Sequence, residues 1–321
     1  MEWTASARCD DIRGNSVLTS TLRPFYCGLA LILFISPLSA YAPQSTPTSE
    51  WLVEPNWLKT HLGDAGVIIA DTRSEMEYLQ GHIPGAISFD IGGLNAKTSE
   101  AGLKILQDEL AKRFSSLCIQ GNEEVVFYDE SMGVKAPKAL WFLSYAGYRR
   151  GRVLRGGLGA WQKAGYPLSW DRVTRTARPF SVNANPAVLA TIDQVAKRLH
   201  NVSSVVVDVR SREEYGGLNN SQDCARNGRI PGAVWLEWNT LLDGPLAYLQ
   251  IDALQKRLQQ VGITPDKEII VYCHSGNRSS NTYLALQLLG YAKVRNYVGS
   301  WHEWASRLDL PLERDETKET P

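Results

Sequence analysis

The chain has 321 residues, 44% hydrophobic and 21% charged, with 34 basic side chains against 34 acidic ones. A net charge of zero leaves no electrostatic footing for nucleic acid or an anionic membrane surface. The length suits two ordinary domains, and the composition excludes disordered, collagenous and disulfide-scaffold proteins.

The first predicted element is a leader. Arg8, Arg13 and Arg23 precede an apolar run from Gly28 to Ile35, which Pro37 closes. Ala40-Tyr41-Ala42 then sets small residues at the −3 and −1 positions of a cleavage site. Residues 1–42 therefore read as a signal peptide cut after Ala42, its apolar part short for a bilayer span. A membrane anchor is the alternative. Cys27 precedes the apolar run, which excludes a lipoprotein, and no paired arginine marks the twin-arginine route. The expected location is periplasmic or secreted, with no stable membrane association after cleavage. Residues 43–50, rich in Pro, Ser and Thr, read as a spacer. Cleavage removes Cys9 and Cys27 and leaves Cys118, Cys224 and Cys273. An odd count in an oxidising compartment implies an unbridged thiol or a pairing between molecules.

From residue 51 the chain repeats itself at a period of roughly 140 residues, far longer than a solenoid unit. Ile68-Ile69-Ala70-Asp71-Thr72-Arg73-Ser74 recurs as Val205-Val206-Val207-Asp208-Val209-Arg210-Ser211. Gly81-His82-Ile83-Pro84-Gly85-Ala86 recurs as Gly228-Arg229-Ile230-Pro231-Gly232-Ala233, and Val125-Val126-Phe127-Tyr128-Asp129 as Ile269-Ile270-Val271-Tyr272-Cys273. Gly147-Tyr148, Trp161 and Pro167-Leu168 are answered by Gly290-Tyr291, Trp304 and Pro311-Leu312. This is a tandem duplication: residues 51–171, a linker at 172–190, residues 191–314 and a tail at 315–321.

Apolar runs predict strands near 67–71, 125–128 and 152–154 in the first half, and near 205–209, 269–272 and 294–297 in the second. Helical spacing of Leu103, Leu106, Leu110 and Phe114, and of Leu254, Leu258 and Val261, fills the intervals. Such alternation predicts α/β domains, each a mainly parallel central sheet with helices on both faces, and a site beyond the strands' carboxyl ends. Asp208, Arg210 and Cys273 all fall at such ends. The linker's Arg172, Arg175 and Arg178 read as a solvated strip. Trp161, Trp235, Trp238, Trp301 and Trp304 read as core and interface anchors rather than a base-stacking platform.

Cys273 lies where a buried strand turns into a helix, in Cys273-His274-Ser275-Gly276-Asn277-Arg278. Successive backbone N–H groups of a tight turn and the positive end of the next helix favour an anion there, so the thiol should ionise readily. Asp129 holds the matching position in the first half, and a carboxylate does not replace a nucleophilic thiol. The first half should be catalytically silent. A packed core thiol is the plainer reading of Cys273.

The Asp-x-Arg-Ser strand end, the Gly-His-Ile-Pro-Gly-Ala turn, the cysteine loop and the duplication together resemble the rhodanese family in its tandem form, from Trp51 to about Glu313. The resemblance implies two similar α/β domains, catalysis in the C-terminal one alone, and sulfane sulfur carried on a Cys273 persulfide. Thiosulfate is the expected donor, with cyanide or a thiol as acceptor. The alternatives are 3-mercaptopyruvate as donor and a persulfide relay to a protein partner. The resemblance also implies that Arg210 helps bind the anionic donor, a task that suits a guanidinium. Arg229 is a candidate for a second cationic contact. Arg278 is expected mainly to fix the loop, through carbonyls or Asp208, and partly to lend charge to the sulfur. Gly276 permits a positive φ; His274 is either a charged neighbour of the thiolate or turned outward. Ser275 occurs at this offset in the mercaptopyruvate type, but His274, Ser275, Asn277 and Arg278 together look more like single-domain rhodaneses, which leaves the donor open. Dual-specificity phosphatases place five residues between cysteine and arginine; four stand here, which fits sulfur better than phosphate. Cys224, in a segment from Gly216 to Asn227 that the first half lacks, either forms a reversible disulfide with Cys273 or is idle. Cys118 is expected to pack. No cofactor is expected beyond the covalent persulfide, and the scattered histidines show no metal-ligand spacing. The partners are a small-molecule sulfur donor and acceptor, and a monomer is the default.

Overall fold

The computed structural model describes residues 50–219 and 223–315. The leader and cleavage site expected from the sequence, and residues 316–321, lie outside them. The first half runs β1 (Leu52–Val53), α1 (Pro55–Thr60), β2 (Val67–Asp71), α2 (Glu75–Leu79), β3 (Ile87–Ser88), α3 (Glu100–Ser115), β4 (Glu124–Tyr128), α4 (Lys135–Tyr145), β5 (Gly151–Leu154) and α5 (Gly157–Lys163). The second half runs α6 (Ile192–Ala196), β6 (Ser204–Asp208), α7 (Arg212–Gly216), β7 (Val234–Trp235), α8 (Ile251–Gln259), β8 (Glu268–Tyr272), α9 (Asn277–Leu288), β9 (Val294–Asn296) and α10 (Ser300–Ser306). Every strand pairing is parallel: β1-β5-β4-β2-β3 form one sheet and β7-β6-β8-β9 the other. The expected α/β architecture is present in both halves.

Strand residues alternate between two faces, and both faces are buried, which explains the unbroken apolar runs. Ile69 and Val126 face a core closed by Trp161; Val206 and Ile270 face one closed by Trp301 and Trp304. On the opposite faces Ile68, Ala70, Val125 and Phe127 belong to the same continuous core as Val205, Val207, Ile269 and Val271. The halves thus share one interior. Helices α4 and α9 meet in it, and both are buried around most of their circumference.

The duplication extends to individual hydrogen bonds. Asp71 Oδ2 accepts from Tyr128 Oη, and Asp208 Oδ2 from Tyr272 Oη, both at 2.6 Å. Each tyrosine oxygen in turn accepts an amide of the next turn, Ile83 N or Ile230 N, at 3.2 Å. Trp161 Nε1 donates to Pro167 O and Trp304 Nε1 to Pro311 O, both at 2.9 Å. The serine of Asp-x-Arg-Ser is a helix N-cap: Ser74 and Ser211 form capping boxes with Glu77 and Glu214. The linker runs over the first half, donating from Arg178, Asn183 and Asn185 N to Ser115, Ala146 and Tyr145 O. Cys118 is buried beneath it, its thiol on Thr176 O at 2.7 Å.

Candidate active site

Cys273 follows β8 directly and is 1% exposed. Its loop is fixed from three sides. Cys273 N donates to Ser300 Oγ at 3.1 Å, and Trp301 N and His302 N donate to the carbonyls of Cys273 and His274 at 3.0 Å. Ser280 Oγ donates to Gly276 O at 2.6 Å and accepts from Asn296 Nδ2 at 3.0 Å. Ser300 holds this tie with a left-handed φ of 56°, unusual for a non-glycine residue. Gly276, at φ 87°, turns its N–H onto the sulfur at 3.2 Å.

Burial pushes the Cys273 thiol up, but the Arg278 charge and the hydrogen-bond donors of Ser279 and Ser275 outweigh it and hold the thiol below its ordinary value. That shift favours the thiolate, and Ser300 Oγ lies 3.9 Å from the sulfur.

Arg278 closes the loop, bound not to Asp208 but bidentately to Glu214, with Nη1 and Nη2 donating at 2.6 and 2.8 Å. Burial raises Glu214, but the Arg278 pair more than reverses this and brings it to about 2. Asp208 is a supporting group: it receives Arg210 N, Nε and Nη2 as well as the Tyr272 hydroxyl. Arg210 is 1% exposed, sits 4.8 Å from the Trp301 ring centroid, and donates Nη2 to Gly228 O at 2.8 Å. Arg73 of the first half makes the same bonds to Asp71 and Gly81 O, so most of the Arg210 guanidinium serves the fold. The halves differ at Nη1. In Arg73 it pairs with Glu130, whereas His274 holds the matching position in the second half and Arg210 Nη1 has no acceptor among the described residues.

The expectation for Arg229 is corrected. Its guanidinium clips the end of the domain, with Nη1 donating to Asp315 Oδ1 at 2.8 Å and the group lying 4.4 Å from the Tyr215 ring centroid. Its backbone pairs with Glu313, as His82 pairs with Ser169 in the first half. The side chain holds that strap through the carboxylates of Asp315 and Glu313. The lean of His274 is away from the sulfur: Nε2 lies 3.2 Å from Asp223 Oδ2 and Nδ1 3.7 Å from Cys224 Sγ. The adjacent Asp223 and Cys224 and the distant His274 thereby bring potential ligand atoms within 4.8 Å of one another. Burial, with Asp223 beside it, pushes the Cys224 thiol up to about 11, unfavourable for attack on another sulfur. The described cysteines are thiols, none joined in a disulfide.

Sequence reasoning missed Ser300 and Glu214, which fix the loop, and a third residue from the other half. Lys138 of α4, in the first half, reaches across the shared core and donates Nζ to Ser275 O at 3.5 Å. It is 2% exposed, and burial lowers its ammonium to about 8 while the Cys273 thiolate pulls it up. The first-half loop has a carboxylate where the second has the thiol. Asp129 fills the anion seat, taking Glu130 N at 2.8 Å and Lys135 N at 3.0 Å on its carboxylate.

A model of the rhodanese-like domain matches residues 54–164 and again 191–307. The chain belongs to the rhodanese family. This rhodanese is 34% identical over 263 residues to the thiosulfate sulfurtransferase of Azotobacter vinelandii, covering 82% of this chain and 96% of that one. It is 31% identical over 279 residues to the 3-mercaptopyruvate sulfurtransferase of Escherichia coli K12, covering 83% and 99%. It is also 31% identical over 281 residues to the sulfur carrier protein TtuD of Thermus thermophilus, covering 83% and 98%. Among solved structures it resembles an anaerobic ergothioneine biosynthesis enzyme from Chlorobium limicola, with a TM-score of 0.76 and 26% identity over 87% of this chain and 73% of that one. The rhodanese is a sulfurtransferase with two rhodanese-like domains.

Proposed function

We propose that the chain moves a sulfane sulfur from thiosulfate to cyanide or a thiol through a persulfide on Cys273. The carrying observation is the Cys273 sulfur, buried, held on Gly276 N at 3.2 Å and lowered in pKa by the Arg278 charge against the cost of burial. In the first step the thiolate attacks the outer sulfur of thiosulfate. That sulfur's bond to the sulfonate sulfur breaks, sulfite departs with the electron pair, and Cys273 carries a persulfide anion. In the second step the acceptor attacks the terminal sulfur, and the bond's electrons return to Cys273 as thiolate; cyanide becomes thiocyanate. Both resting forms are anionic, so the same loop amides stabilise each. Arg210 has Nη1 left to meet the donor. No cofactor takes part in this scheme.

A second reading, with 3-mercaptopyruvate as donor or a protein as sulfur acceptor, is supported by the relatives from E. coli and T. thermophilus. The leader composition supports action in the periplasm or outside the cell, by a monomer whose halves satisfy one another. Exposing the protein to each donor and weighing it decides between donors. Cys273 should gain about 32 daltons, one persulfide sulfur, and Cys273→Ser none. Wild-type protein that gains nothing from either donor overturns the reading.

A further inference from the structure

The cations around the thiol loop are mostly spoken for. Arg210 is paired with Asp208, Arg278 with Glu214 and Arg229 with Asp315. Lys138 is the exception: among the described residues no carboxylate lies within ion-pair distance of its ammonium. It has one long bond to Ser275 O and the Phe142 ring 5.7 Å away. An unpaired buried ammonium is costly, and folds tolerate one only where something compensates.

Bridging the two halves does not account for it. Lys138 stands nine residues before Gly147, and Asn281 nine before Gly290, so the two occupy equivalent places on α4 and α9. Asn281 performs the mirror-image bridging task with a neutral amide, donating Nδ2 to Met132 O at 3.1 Å and Gly133 O at 2.6 Å. That amide faces a loop whose anion, Asp129, is built in. The lysine faces the loop to which an anionic donor comes and from which its anionic remainder leaves.

On the reading of the chain as a sulfurtransferase, we infer that Lys138, supplied by the silent half, is the counter-charge for the oxyanion end of the sulfur donor. The group it takes is the sulfonate of thiosulfate or the carboxylate of a 2-oxo-3-thiol acid, held while the reactive sulfur meets Cys273. At neutral pH the ammonium remains mostly protonated despite its burial. The donor's charge supplies the partner that the resting protein lacks, and the site loses that partner when sulfite or the oxo-acid departs.

The test separates donor binding from mere support of the thiolate. Thiosulfate is titrated calorimetrically into Cys273→Ser, which has no thiolate, and into Cys273→Ser/Lys138→Met; 3-mercaptopyruvate forms the second arm. The double variant should bind at least tenfold more weakly in the arm of the true donor. In otherwise wild-type protein, Lys138→Met should cut kcat/KM for Cys273 loading tenfold or more, chiefly through KM, with a melting temperature no lower than wild type. Equal binding by the two Cys273→Ser proteins, or unchanged loading by Lys138→Met, overturns the inference. Wild-type Cys273 that no donor loads overturns the functional reading instead, so the two failures are distinguishable.

Discussion

Gly276→Ala asks whether backbone donors, rather than side chains alone, hold the Cys273 thiolate. Gly276 has a φ of +87°, and an added Cβ would lie 2.6 Å from Val298 Cγ2 and 3.0 Å from Val298 O. The left-handed backbone costs a residue with a side chain about 1–2 kcal/mol. Forcing a methyl group into that space adds about 1–3 kcal/mol. At ~2–4 °C per kcal/mol, the melting temperature should fall by roughly 5–15 °C. Relief of the clash also carries the Gly276 amide off the sulfur, and one lost preorganised donor is worth about 100-fold in rate. Calorimetry gives the stability change. Iodoacetamide alkylation of Cys273 across pH gives the thiol pKa, which should rise, and stopped-flow loading gives the rate. Gly262→Ala is the control: its φ is +76° with nothing within 4 Å of the added carbon, so it isolates the torsional cost. If Gly276→Ala melts with that control and its thiol pKa and loading rate match wild type, the amide cradle does not hold the anion.

Glu214 lies at about 2 in the folded protein against an ordinary 4.5, so its ion pair stabilises the fold above pH 4.5 and is lost as pH falls towards 2. The loss should be roughly 2 kcal/mol after allowance for partial exposure, and Glu214→Gln should flatten that limb of an acid-unfolding curve; an unchanged limb refutes it. Thr98→Val removes a hydroxyl that donates to Glu303 Oε2 at 2.7 Å and accepts from Ile192 N at 2.8 Å. Two buried groups of the second half lose a partner, and thermal unfolding should show a loss of about 2 kcal/mol or more; an unshifted melt would contradict this. Asp129→Cys should gain no sulfur under conditions that load Cys273, because no arginine closes the loop from Asp129 to Val134; peptide mass mapping reads the result directly.

The features legible in the sequence were those fixed by local chemistry. Unbroken β-branched runs gave the long strands, and the duplicated motifs gave two copies of one hydrogen-bond network. The cysteine between strand and helix gave the anion seat. Leu52–Val53, Ile87–Ser88 and Val234–Trp235 were not legible, because two-residue strands exist only through pairing with a longer neighbour. The Arg229 motif position looked like a functional cation because nothing local shows that Glu313 and Asp315 return to it. Lys138 was invisible for the converse reason: it lies on a mostly apolar helix of the first half, and only the packing of α4 on α9 brings it to Ser275.

Because one interior serves both repeats, the duplication behaves as a one-way step. Cutting away the first copy would strip α4 from α9 and leave the Asn281 amide without Met132 O and Gly133 O, alongside a broken apolar surface. The repeat that carries Asp129 in place of the cysteine thereby still supplies part of the interior its twin folds around, and losing it would carry a solvation cost.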